Sequence, residues 1–413
     1  MATEALGHGG DENESGIRQA NGNGDASVPG NGKHPALPVL EDMIRIQSVN
    51  PYFDESGEGE RAMADYVERR CRAAGLAVTR QNVFPGRDNL IVELRVGKPD
   101  KTLLLEAHMD TVTLGGMPDA LMPTYRDGRL YGRGACDTKG SLAGMLYAME
   151  RAARNPEAVG GDLVLCASVD EEHAYKGLLA FLELGLPVAG AVVGEPTELG
   201  IAVANKGCVR VAATTHGKAA HSSMPAEGDS AIMQMMRVLR FIRERLEPEL
   251  ASRAHPLCGS PTIVVGTIRG GTQINIVPDR CVIEIDRRII PGERPEIVER
   301  ELAERLRREL APEGVKLTVE RLLLDWALDT PHDAAIVRAA QAAAAAIGLD
   351  DNLRGVTYGC DASKLQELKG IPSIVYGPGS IAQAHTNDEW VPVSDVERAA
   401  EFYWRLAQTF GRL

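Results

Sequence analysis

Apolar residues recur at helical spacing over residues 59–75, where Met63, Val67, Cys71 and Ala74 share one face and Gly75 offers a stop. Apolar runs of strand length follow. NLIVELRVG and KTLLLEAHMD are expected as adjacent strands, and GGDLVLCASVD and AGAVVG at 189–194 as two more. Helices predicted over 141–155 and 174–184 separate these runs. Apolar strands alternating with helices predict an α/β domain whose sheet is mixed but mostly parallel and covered on both faces. Such sheets bind ligands just beyond the carboxyl ends of their strands.

The pattern changes after Asn205. KGCVRVAATTHG reads as a strand, 228–248 as a long amphipathic helix, 261–269 and 279–290 as strands, 295–309 as a helix and 315–324 as a strand. The order β-α-β-β-α-β predicts a ferredoxin-like α+β domain over 206–325. Its four-stranded sheet leaves edges that need cover, so a homodimer through this domain is expected. The first pattern then resumes, with a helix at 333–347, the strand IPSIVYG, a loop carrying His385 and a last helix at 394–410. The middle domain is therefore read as an insertion into one built from 36–205 and 326–413.

Composition narrows the partners. Against 58 acidic side chains stand 45 basic ones, for a net charge of -13. That balance, with no Lys/Arg block, argues against nucleic acid. No apolar run is long enough to span a bilayer, and no secretory leader is recognisable, so no membrane partner is expected. Seven cysteines without a C-x-x-C pair suit reduced thiols in a cytoplasm. Residues 1–35, rich in Gly, Asn, Asp and Ser, are expected to be a disordered tail, which discounts His8 and His34 as ligands.

The candidate chemistry lies at strand ends. His108, Asp137, Glu171, Glu172, Glu195 and His385 each follow, or sit within, a run that ends in a loop. Two imidazoles and several carboxylates suit a borderline divalent metal such as zinc, with oxygen ligands to spare for a second ion. Asp110, two residues beyond His108, points the same way and can take the second imidazole N–H, fixing the tautomer. Asp137, in the turn YGRGACDTKG, can offer one oxygen to each of two ions or simply cap the next helix. Of the adjacent pair Glu171 and Glu172, one can bind metal while the other collects a proton from activated water. Cys136 beside Asp137 is read as a packed thiol rather than a ligand.

The motifs HMDT, YGRGACDTKG, DEE, GEPT, HGKAAHSS, NIVPDR, DRRIIPGE and AHTNDEW, in this order, resemble the M20 metallopeptidase and amidohydrolase family over about residues 40–413. The acetylornithine deacetylase and succinyl-diaminopimelate desuccinylase branch looks most similar. The resemblance implies a zinc-peptidase-like catalytic domain with an inserted lid and dimerisation domain. It implies two divalent ions, Zn²⁺ with Co²⁺ or Mn²⁺ as alternatives. Asp137 bridges them, His108 and Glu195 complete one site, and Glu172 and His385 the other. Asp110 orients His108, and Glu171 is the general base. One departure is DTVTLGG, which lacks the proline and tryptophan often found just after the family's HxDxV.

In the lid, the resemblance assigns His221 to the reaction's oxyanion, in its own chain or across a dimer, although His216 has equal standing by sequence alone. Lys206, Asn275 and Arg288 match positions associated with a substrate carboxylate. Alternation in CVIEIDRRII puts Glu284, Asp286 and Arg288 on one face and Arg287 on the other, which leaves an intrasheet ion pair as the other reading of Arg288. The expected function is hydrolysis of the amide bond of an N-acyl amino acid, or a similar small carboxylate-bearing molecule, by metal-activated water. The alternatives are a dipeptidase or carboxypeptidase, and a C–N hydrolase acting on an aromatic amine or carbamoyl compound. A non-catalytic metal-binding regulator would be expected to lack a ligand or the base, and a structural zinc site would be thiolate-rich.

Overall fold

The computed structural model describes residues 32–54 and 58–412. Most of the segment expected as a tail therefore lies outside the described residues. The larger sheet has nine strands in the order Ala77–Phe84, Arg87–Leu94, Leu163–Ser168, Thr102–His108, Val188–Val193, Ser373–Val375, Ile201–Asn205 and Leu328–Asp329, with Leu353–Val356 also pairing with Ile201–Asn205. The fold is an α/β arrangement on a mixed sheet, with a separate smaller sheet domain.

Two sequence expectations need correction. Arg87–Leu94 and Thr102–His108 are not neighbours, because Leu163–Ser168 lies between them. The sheet is parallel at its centre, from Leu163–Ser168 to Ser373–Val375, but antiparallel at Ala77–Phe84, Arg87–Leu94 and Leu328–Asp329. A tight turn at Pro85-Gly86 joins the two outer strands as a hairpin, which only antiparallel strands can form.

Helices cover both faces, and alternation along the strands decides which side chain meets which layer. Leu103 and Leu105 pack with Leu142, Leu146, Phe402 and the helix Ala36–Arg45, an element not predicted above. Leu104 points the other way, onto Leu178, Phe181 and Leu365. A three-stranded sheet, Thr124–Arg126, Arg129–Tyr131 and Trp390–Pro392, was also not expected.

The smaller sheet runs Thr262–Gly270, Arg280–Ile289, Gly207–His216, Leu317–Asp325, all antiparallel. One face, with Val209, Val211, Ile283 and Ile285, packs on Met235, Val238, Leu302 and Leu306 of two helices. The helix expected over 228–248 is interrupted. An α-helix at Ala231–Phe241 passes through a wider π turn at Ile242–Leu246 into Glu247–Ala251. Pro248 lacks the N–H that a regular helix would direct to Glu244, which accounts for the widened turn.

Candidate metal centre

Parallel strands that end in register deliver their loops to one place. His108 closes its strand opposite Ser168 of the next, so the Asp170–Glu172 loop emerges beside it. Gly194, whose N–H donates to the Glu106 carbonyl, brings Glu195 to the same edge. Asp137 arrives from a loop in which Gly134 has a φ of +81° and packs so closely that a Cβ would lie 2.8 Å from the Lys139 side chain. No residue but glycine fits there without strain. The helix that follows begins at Lys139 with Thr138 as its N-cap, so Asp137 is not a cap.

Two donor groups form, each with ligand atoms within 4.8 Å of one another: His108, Asp137 and Glu195, and Asp137, Glu172 and His385. Asp137 belongs to both. Its Oδ1 lies 3.1 Å from His108 Nε2 and its Oδ2 lies 3.3 Å from His385 Nε2. Glu195 Oε1 is 3.7 Å from His108 Nε2, and Glu172 Oε2 is 3.1 Å from His385 Nε2.

The charges show what such a cluster lacks. Burial, then the Asp137 charge, lifts Glu172 and Glu195 above the usual carboxylate range. Hydrogen bonds to Asp137 and Glu172 raise His385 to about 10. Burial opposes a charge on His108, yet bonds to Asp110 and Asp137 carry it well above its ordinary value. Crowded carboxylates here draw protons onto both imidazoles. Two divalent cations would supply that positive charge and release the protons. The nitrogen and oxygen donors fit such ions, and Asp137 presents an oxygen to each group.

The supporting contacts refine the sequence reading. His108 Nδ1 lies 2.9 Å from the Asp110 main-chain carbonyl and 3.5 Å from its carboxylate. The Asp110 carboxylate accepts instead from Asn50 Nδ2 at 2.8 Å and from the N–H groups of Glu171 and Glu172, both at 3.1 Å. One residue thus touches the imidazole through its backbone and the acidic loop through its side chain. Cys136 Sγ lies 3.3 Å from the Ser380 carbonyl and belongs to neither donor group.

Glu389 was missed, although it lies within the AHTNDEW motif. It is buried and accepts from the N–H groups of Gly134, Cys136 and Asp137 at 2.9–3.0 Å, and from Arg133 Nη1 at 2.8 Å. Arg133 Nη2 also donates to the Thr386 carbonyl, joining the Asp137 loop to the His385 loop. An acid immediately before Trp390 was the available signal, but its partners lie more than 250 positions away.

A cleft of about 180 Å³ opens over the centre. Asp137, Glu171, Glu172, Glu195 and His385 line one side, with Tyr175 and Tyr358; Cys208, Arg210, Arg288 and Leu323 of the smaller sheet line the other. Of the expected carboxylate-binding residues, only Arg288 reaches it. Its Nε donates to Asp286 Oδ1 at 2.9 Å, the intrasheet pair left open above. Arg287 lies on the opposite face, buried against Glu293 at 2.7 Å. Lys206 is buried, with Nζ on the Ser260 carbonyl at 2.6 Å. His221 and Asn275 are exposed outside the cleft, on two segments joined by an N–H bond from Ser222 to the Asn275 carbonyl. His216 bonds Thr318 at the end of its strand and takes no part.

The comparisons with known proteins follow the same outline. The model of peptidase family M20/M25/M40 matches residues 104–409. Over 361 residues the chain is 35% identical to an acetylornithine deacetylase of Myxococcus xanthus, covering 84% of this chain and 92% of that protein. A probable carboxypeptidase of Aspergillus oryzae is 30% identical over 407 residues, covering 90% and 89%. Among solved structures, a tripeptidase of Staphylococcus aureus shares the fold with a TM-score of 0.73 at 22% identity, over 92% of this chain and 98% of that one.

Proposed function

The chain belongs to peptidase family M20/M25/M40 and is a metal-dependent hydrolase with a dinuclear site; on that premise we propose that it cleaves the amide bond of an N-acyl amino acid or a similar small carboxylate-bearing substrate. The observation that carries this reading is a single cleft holding both the Asp137-shared donor groups and the Arg288 guanidinium. The first suits bond cleavage and the second a substrate carboxylate.

In this reading His108, Asp137 and Glu195 hold one ion and Asp137, Glu172 and His385 the other. When bound, the ions, zinc or alternatively cobalt or manganese, polarise the scissile carbonyl and acidify a water. Glu171 takes the proton of the attacking water and returns it to the departing amine as the C–N bond breaks. Burial, against the charge of His108 and with those of Glu172 and Asp137, raises Glu171 above the usual carboxylate range, and cations on the neighbouring donor groups would draw it down again, so that the carboxylate is free to accept a proton. Asp110 positions this loop through its two N–H bonds.

His221 is assigned to the oxyanion, across a dimer. Its Nδ1 lies 2.8 Å from Ser223 Oγ and 3.2 Å from the Ser223 N, which leaves Nε2 to meet the oxyanion. Its exposure outside its own chain's cleft supports action on a partner's site. The lid carries the apolar surface a dimer needs: Met233 and Met236 on a helix, and Val264 and Ile268 on the edge strand Thr262–Gly270, are exposed. The two sheets support domain limits of 36–205 with 326–413, and 206–325. Among the described residues no helix is long and apolar enough to cross a membrane, and all seven cysteines are free and buried, which supports a reducing cytoplasm as the setting.

The test is a panel of N-acetyl, N-succinyl and N-formyl amino acids, dipeptides and aryl amides, assayed with zinc, cobalt and manganese. Turnover of N-acyl amino acids well above dipeptides is the expected result. A preference for dipeptides or aryl amides would replace this reading with a peptidase or aryl-amine hydrolase.

A further inference from the structure

The outward face of the smaller sheet carries a charge arrangement that Arg288 alone does not explain. Arg210 and Arg288 stand on adjacent strands, and Asp286 lies between them. Arg210 faces Asp286 across the ladder, and Cys208 faces Arg288, so the two arginines are diagonal neighbours on one face. Side chains as long as arginine meet across such a diagonal. Asp286 engages both: Arg210 Nε at 3.0 Å through Oδ2 and Arg288 Nε at 2.9 Å through Oδ1.

Each arginine spends its Nε on Asp286. The Nη atoms of both make no hydrogen bond among the described residues, and both side chains line the metal cleft. Two positive charges and one negative leave one positive charge facing the centre. Leu323, opposite Arg210 in the ladder, and Tyr175 also line the cleft. Lys206, the basic residue at the start of the same strand, is withdrawn onto the Ser260 carbonyl.

We propose that Arg210 is a specificity-determining residue, the second arm of a two-guanidinium clamp that grips the substrate carboxylate with Arg288 while Asp286 presets both arms. The inference rests on the carboxylate-bearing substrate proposed above. The clamp takes one planar carboxylate, each guanidinium offering its Nη pair as a fork, which an ammonium cannot reproduce. Arg210 makes direct contact with the ligand, and Asp286 is a positioning residue.

The experiment uses the metal-loaded chain and compares kcat/KM for the best free-acid substrate of the panel with that for its carboxamide. Arg210→Met is expected to lower the acid-to-carboxamide ratio roughly tenfold or more, the loss expected for a charge-assisted bond. On an Arg288→Met background the same change should lower the ratio further. Arg210→Lys, which keeps the charge and the Asp286 pair and serves should the methionine variant not fold, should lose part of the ratio because the fork is gone. An unchanged ratio in Arg210→Met or Arg210→Lys overturns the proposal. So does a fall in Arg210→Met with no further fall on the Arg288→Met background, since Arg210 would then only position its neighbours. A fall confined to Lys206→Met overturns it as well. If the wild type cleaves dipeptides and no N-acyl amino acid, the N-acyl-amino-acid reading fails, and the ratio measured on a dipeptide and its carboxamide still decides the clamp.

Discussion

On the metal side of the cleft, the loops that carry Asp137, Glu171 and Glu172 are tied by their main-chain amides to buried carboxylates; on the facing sheet the side chains are tied to one another. Glu389 fixes the Asp137 loop through three backbone N–H groups, and Asp110 fixes Glu171 and Glu172 through two. Arg210, Asp286 and Arg288 are held by a side-chain pair and a sheet register, and remain partly exposed. The difference separates two tasks. Bond cleavage needs donors preset to a fraction of an ångström, which buried main-chain contacts provide. Selection needs only matched charge and shape, which two or three outward side chains can supply and a few substitutions can change.

The largest effect should come from removing metal. Chelation is expected to abolish activity while circular dichroism shows most secondary structure retained, and elemental analysis of the native chain should find two divalent ions. Full activity in excess chelator, with no metal bound, would break the metal side of the comparison.

Next in size is the proposed base, Glu171. Glu171→Gln should keep its metal and lose roughly 10²–10⁴-fold in turnover, whereas Glu172→Gln should lose an ion. Equal metal loss in both would erase the division between base and ligand.

Glu389→Gln sharpens the contrast directly, because it touches no ligand side chain. Loosening the Asp137 loop should cost roughly 10–100-fold in metal affinity or activity, read by competition with a chromogenic chelator. Wild-type affinity would mean that the backbone cradle is not what holds Asp137 in place.

The smallest effect concerns stability beneath the centre. Burial, with the Asp361 charge, pushes Glu106 up to about 8, and Ser168 Oγ lies 2.7 Å from its carboxyl. The unfolded chain gives up that proton near the ordinary value of 4.5, so between about 4.5 and 8 the folded chain binds the extra proton. Stability from this group is therefore complete below 4.5 and is lost as pH rises through 8. Glu106→Gln should flatten the fall in Tm between pH 5 and 8.5. An unchanged slope would assign the pH dependence to other groups.

Legibility followed the same division. His108, Glu171, Glu172 and Glu195 stood out because an apolar run ending in His, Asp or Glu is a local pattern, and parallel strands make such ends converge. Glu389, Arg133 and Arg210 did not stand out. Glu389 acts on residues more than 250 positions away, and Arg210 acquires its partner only when Gly207–His216 pairs with Arg280–Ile289. Strand alternation did separate Arg288 from Arg287, since period two is local.

By itself the sequence determined the alternation of strand and helix, the acidic and histidine chemistry at the strand ends, and the change of pattern at 206–325, because each depends on residues within about twenty positions. Only the tertiary structure decided that Leu163–Ser168 separates two strands that follow one another in sequence. It also placed Lys206 and Asn275 outside the cleft while Arg210 lines it, and tied the metal loops together through Glu389 and Arg133. Those outcomes depend on strand order, register and buried charge pairing between distant segments, and local spacing carries no information about any of them.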